Sequence, residues 1–180
     1  MKKSNAEYLM LREEILHLDT VINNTINFFY IFIATYITFA LTQDDTIFLL
    51  ISYIVIIPAY LIVICKGKGM CKIGAYLKVF HEGKEFNWET RRIEFHKNIM
   101  PDIFTYMIST TFPFVFVGIA VELLLIYYTP WSYSMTPYEI GKVILWIFLS
   151  VFLYVLIYKN RKINTVNYVK RWEELKKKES

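Results

Sequence analysis

Thr20, Asn24, Asn27, Thr35, Thr38 and Thr42 follow one another at steps of three or four, with Ile31 filling the one longer interval. A helix gathers such positions on a single face. The surrounding residues are apolar, and an asparagine amide in hydrocarbon is costly because nothing there bonds it. The seam must therefore face protein or water. Against protein it would form inter-helix hydrogen bonds, worth about 0.6 kcal/mol each. Against water, Asn24, Asn27, Thr35 and Thr38 would line a pore, and thin helices enclose one only when several copies assemble. Both readings stand.

Glu122 is the one charge in the run from 103 to 128, and Lys142 stands just before the apolar run from 143 to 158. At helical rise, Glu122 lies roughly 9 Å inside one end of its segment. An ionisable group at that depth marks a functional position and calls for a partner. Lys142, at a similar depth on the next segment, is the expected one, either as a structural ion pair or as part of a water-lined path for ions or protons. Pro58 and Pro113 lie mid-segment, where each frees a carbonyl and bends its helix, as a static kink or a hinge.

The stretch CKGKGMCK starts at Cys65 and includes Cys71. With His81 and His96 the two thiols offer ligands of the types zinc takes, but neither the Cys nor the His spacing is that of a zinc knuckle. A phosphate loop would need a preceding strand, a longer glycine frame and a Ser or Thr after the lysine. The stretch reads instead as a membrane edge, with lysines at the headgroups and Gly67 and Gly69 breaking the helix. No metal or cofactor is expected.

Arg91, Arg92, His96 and Lys97 form a basic patch suited to acidic headgroups or an acidic partner. The spacing of Arg91 and His96 resembles the R-x4-6-H motif of HEPN ribonucleases. That resemblance implies RNA cleavage by these two residues across a helical dimer, although the soluble four-helix bundle of that family has no counterpart here. No Ser-His-Asp order, carboxylate pair or dinucleotide glycine pattern stands out, and the chain is expected not to be an enzyme.

These residues belong to a chain of 180 residues, 56% of them hydrophobic and 18% aromatic, too apolar for an ordinary soluble domain of this length. Two cysteines make no disulfide framework. About 20 apolar residues cross a ~30 Å hydrocarbon layer, and four segments approach or exceed that length. Wrapping four such segments in water would take more polar surface than the chain has. The expected fold is all-α, a single polytopic membrane domain over 1–180 with four transmembrane helices at 22–42, 46–65, 103–128 and 139–158. A helix at 1–21, a helical loop at 66–102 and a basic tail at 159–180 would form a small cytoplasmic cap. The first apolar segment is too long and too far in for a cleavable signal peptide.

Of the 20 Lys and Arg, 19 lie in the N-terminal arm, the middle loop and the tail, leaving only Lys142 on the other side. Cytoplasmic loops hold the positive excess, so both termini and the middle loop are expected at the anionic inner leaflet. Four crossings independently require both termini on one side. Within the cap, Tyr8, Leu11, Ile15, Leu18 and Ile22 form a narrow apolar stripe on a helix that runs unbroken into the first crossing. Its partner is the middle loop, the tail or another subunit. Ile73, Tyr76, Leu77 and Phe80 fit a second amphipathic helix, and Asn87 fits the cap of a third from Trp88 to about Met100. Tyr168, Trp172 and Leu175 suit a basic helix that lies on lipid or packs on the N-terminal helix.

The charged opening YLMLREEI, the segment YLKVFHEGKEFNWETRR and the tail YVKRWEEL make a plan similar to the small multi-pass membrane accessory and effector proteins of bacterial antiviral, CRISPR-associated systems. The likeness is one of architecture. It implies a bacterial inner-membrane protein that permeabilises or depolarises the membrane during infection. The expected function is an oligomeric pore or channel-like effector, gated through its cap by a cytosolic protein, a nucleic acid or a ligand. The alternatives are a membrane-anchored module that recruits a cytosolic complex and, third, a HEPN-like RNase.

Overall fold

The computed structural model describes residues 2–43, 45–82, 90–91, 94, 110–129, 135–160 and 165–179. The elements are α1 (Lys2–Leu41), α2 (Ile47–Tyr76) with a π-helical turn (Leu77–His81), α3 (Phe112–Tyr128), α4 (Pro137–Asn160) and α5 (Thr165–Glu179). No strand occurs among the described residues. α1 contains neither Gly nor Pro, so the N-terminal stripe continues without a break into the apolar run. Ala6–Leu41, Ile47–His81 and Pro137–Asn160 are long and apolar enough to cross a bilayer, and Phe112–Tyr128 is a shorter apolar helix.

α2 is the central helix and touches each of the others. Its buried face includes Leu49, Tyr53, Ile56, Tyr60 and Ile64. α1 meets this core with Ile22, Ile26, Phe29 and Ile33, α3 with Phe114, Val117, Val121 and Leu125, and α4 with Leu153. Phe114 is the keystone, its ring centroid 4.6 Å from Phe29 and 5.4 Å from Tyr60. Much of the outward surface is apolar too: Phe28, Ile31, Tyr127 and Phe148 are each more than 60% exposed. An apolar belt of this kind is costly against water and free of cost against lipid. In lipid the helices associate through close packing and polar contacts rather than through transfer from water.

One end of the bundle holds the α1–α2 turn. There Tyr36 donates to the Phe48 carbonyl at 2.9 Å, and the Ile47 N–H donates to Asp45 Oδ1 at 2.9 Å. Thr136 and Glu139 form a reciprocal capping box at the start of α4, at 2.7 and 3.3 Å.

At the opposite end α2 does not break at Gly67 and Gly69, contrary to expectation. A helical glycine costs about 1 kcal/mol against alanine, but here its small size is used: a Cβ on Gly69 would lie 3.4 Å from Leu18 of α1. Gly67 and Gly74 are buried. Tertiary contact thus outweighs propensity. The α1 stripe finds its partner in this extension, within the chain: Tyr76 donates to Glu7 at 3.0 Å, and His81 Nε2 lies 3.7 Å from Glu7. The tail helix α5 packs on α2 rather than on α1. Trp172 donates to the Lys72 carbonyl at 3.2 Å and meets Tyr76 edge-on at 5.2 Å, while Lys176 donates to the Val79 carbonyl at 2.7 Å. Asn87 and most of the expected helix after Trp88 lie outside the described residues. Pro113 stands in the first turn of α3, where a missing N–H costs nothing, rather than inside a described helix.

Candidate functional site

One group of polar side chains inside the bundle meets around Glu122. Tyr53 of α2, with no exposed surface, sends its hydroxyl between two partners. It lies 3.5 Å from Glu122 Oε1 of α3 and 3.0 Å from Ser150 Oγ of α4. The Tyr154 hydroxyl, one helical turn beyond Ser150, faces the same carboxylate. Gly118, one turn from Glu122, makes room for Leu153, since a Cβ there would lie 3.2 Å from Leu153 Cδ2, while the Tyr154 hydroxyl at 3.7 Å would be in ordinary contact. Two helices therefore bring hydroxyls to a single carboxylate on a third.

Lys142 is not the partner of Glu122. Its Nζ donates to Asp45 Oδ1 at 3.0 Å and lies 4.6 Å from the Tyr138 ring centroid. The Tyr138 hydroxyl donates to Asp45 Oδ2 at 2.7 Å. The carboxyl of Asp45 is held below the ordinary carboxylate range, chiefly by the Ile47 N–H and further by Tyr138 and Lys142, against a contrary push from burial. Lys142 is one of the walls of a narrow cleft of about 10 Å³, close to the space of one water, with Thr46, Leu50, Leu125, Thr129, Glu139, Val143 and Trp146. Leu50, Leu125 and Trp146 each stand one helical turn from Tyr53, Glu122 and Ser150 respectively. The cleft thus leads from the turn end toward the Glu122 cluster.

Asn24, Asn27, Thr35 and Thr38 are all exposed. At roughly 100° per residue their face lies about 180° from the Ile22–Ile26–Phe29–Ile33 face that packs on α2. Thr35 and Thr38 donate to the Ile31 and Ala34 carbonyls of their own helix, each at 2.9 Å. The hydroxyls are thereby satisfied, and the polar demand of the seam narrows to the amides of Asn24 and Asn27, neither of which holds a hydrogen bond among the described residues. Asn24 also borders an open groove of about 540 Å³ between α1 and α2, lined otherwise mainly by apolar side chains such as Phe28, Phe32, Pro58 and Ile62.

Arg91 is helical and exposed, whereas Arg92, His96 and Lys97 lie outside the described residues. Cys65 is exposed and Cys71 partly buried, and neither takes part in a disulfide. No group of three metal-binding side chains occurs among the described residues.

Tyr53 and Ser150 escape a reading based on charge, because phenol and hydroxyl pass as apolar company in runs without ionised residues. The available signal was the i, i+4 pair Ser150 and Tyr154 in the run from 143 to 158, which puts two hydroxyls on one face. The chain matches no protein-family model, no curated protein and no solved structure at a significant level.

Proposed function

We propose that the chain is a four-crossing membrane protein, α3 supplying the fourth crossing, that assembles with copies of itself around the polar face of α1 and passes ions. The reading rests on one observation: Asn24 and Asn27 are exposed on the face of α1 turned away from α2, without a hydrogen-bond partner among the described residues. In hydrocarbon an unmet amide costs several kcal/mol. A second copy or a column of water removes that cost. Among the described residues the bundle interior offers no conduit, since Tyr53, Ile56, Tyr60 and Phe114 fill it without exposed surface, so a path for ions runs between chains. The lysine-rich end faces the cytoplasm, where the positive excess belongs, and the cap gates the assembly.

Purified protein in liposomes loaded with potassium tests this. The wild type is expected to leak ions once the cap is engaged by nucleic acid or cytosolic extract, and Asn24→Leu with Asn27→Leu to lose the leak. Tight wild-type liposomes under every trigger, or undiminished leakage by the double variant, would defeat the pore. The cap favours a second reading, a membrane-anchored recruitment module, because α1, the α2 extension and α5 knit one small charged unit. Replacing the crossings with unrelated ones preserves activity in that case and abolishes it for a pore.

A further inference from the structure

We propose that Glu122 is the loading site for one monovalent cation, a proton or a sodium ion, reached from the end of the bundle that holds the Asp45–Lys142 bridge. The inference concerns a single chain and does not rest on the pore.

The first ground is charge. Glu122 lies among apolar side chains of α3, and its contacts are hydroxyls: Tyr53 from α2, with Ser150 of α4 behind it, and Tyr154 of α4. Neither an ion pair nor a cationic hydrogen-bond donor reaches it among the described residues. Lys142, the cation of the adjoining cleft, is engaged by Asp45 at 3.0 Å. A carboxylate inside a bilayer needs a compensating charge, and none of the described residues supplies it. The compensation comes from a mobile cation.

The second ground is the donor set. One carboxylate with neutral hydroxyls balances a single positive charge. Calcium takes six to eight oxygens, commonly from several carboxylates, and transition metals favour thiolate or imidazole. No group of three His, Cys, Asp or Glu stands near one another among the described residues, which leaves monovalent cations.

The third ground is access. The cleft lined by Thr46, Thr129, Glu139 and Lys142 is lined also by Leu50, Leu125 and Trp146, each one helical turn from a member of the cluster. The acidic Glu139 at the mouth attracts cations, and Leu50 and Leu125, both nearly fully buried, separate the cleft from the site. Ser150, Tyr53 and Glu122 form a continuous row of hydroxyl and carboxyl oxygens below that plug.

Two measurements on the full-length protein in lipid nanodiscs distinguish the two cations. A carboxylic-acid C=O band in the infrared that is insensitive to sodium and missing in Glu122→Gln identifies the proton. A rise in melting temperature in NaCl over N-methylglucamine chloride, at fixed pH and ionic strength, identifies sodium if Glu122→Gln abolishes it. Tyr53→Phe keeps the ring and removes one hydroxyl; it is expected to raise the half-maximal NaCl concentration about tenfold, the worth of one hydrogen bond, or to shift the frequency of the carboxylic-acid band, and it carries the test by itself if Glu122→Gln does not fold. Asn24→Leu with Asn27→Leu is expected to leave either response intact, which separates this site from the pore. The proposal is overturned if neither response appears, or if Glu122→Gln or Tyr53→Phe responds as the wild type does.

Discussion

Lys142 stands about as deep along its helix as Glu122 does along its own, yet its ammonium is bound to Asp45 at 3.0 Å with the Tyr138 ring beneath it. Depth along a helix fixes the level of a charge but not its direction around the axis, and α4 turns Lys142 toward the α1–α2 turn. Asp45 is also the better acceptor because the Ile47 N–H already holds its carboxylate in place. The Lys142 and Asp45 side chains retain 15% and 35% of their exposure, so the pair is a surface one, with a coupling of about 0.5–1 kcal/mol. A double-mutant cycle with Lys142→Met and Asp45→Asn, read from urea unfolding in detergent, measures it. The pH dependence follows from the lowered carboxyl of Asp45. Its contribution is complete above the unfolded carboxyl pKa of about 3.9 and is lost as pH falls through the lower folded value. The coupling is therefore expected to be constant from neutral pH down to about pH 4 and to disappear in stronger acid. A coupling that persists there would exclude the carboxylate as its source.

At the scale of elements, Trp172 makes more of the contacts that hold α5 on α2 than Lys176 does. Trp172 contributes the edge-on contacts to Tyr76 and Phe80 and the bond to the Lys72 carbonyl. Aromatic pairs add about 0.5–1.5 kcal/mol each beyond burial. Trp172→Ala is expected to release α5, seen as faster amide exchange over residues 165–179 with α2 between 50 and 64 unchanged. Unaltered exchange in α5 would show that Val169 and Lys176 suffice to hold it. This contact also marks where the sequence stopped being legible. The apolar runs, the continuity of α1 and the amphipathic spacing of Tyr168 and Trp172 could all be read from local pattern. The persistence of α2 through Gly67 and Gly69 could not, because it depends on Leu18 of α1 and on helix packing far away in the chain. The same limit applies to the candidate site. Glu122 was conspicuous by its charge, whereas Tyr53 becomes its neighbour only when α2 and α3 pack.

At the scale of the molecule, length and charge combine into an orientation. α1 has 40 residues and the α2 span 35, about 60 and 52 Å at helical rise, against a hydrocarbon layer of ~30 Å. Both overhang by some 20 Å or more. The short turn between them, tied by Tyr36 to Phe48, makes the two excesses emerge at the same end. There α5 closes on the α2 overhang, so the N-terminal arm, the extension and the tail helix share one side whatever the direction of insertion. In the proposed orientation the lysines of that end select the direction, since a basic segment resists translocation and is expected on the cytoplasmic face. With Cys65 and Cys71 replaced by serine, a cysteine at Lys170 is expected to react with an impermeant maleimide in inverted vesicles only. A cysteine at Gln43 is expected to react in intact cells. The reverse pattern would overturn the orientation while sparing the bundle. Labelling of both sites from one side would overturn the crossing of α2 itself, because Gln43 and Lys170 lie at opposite ends of that helix.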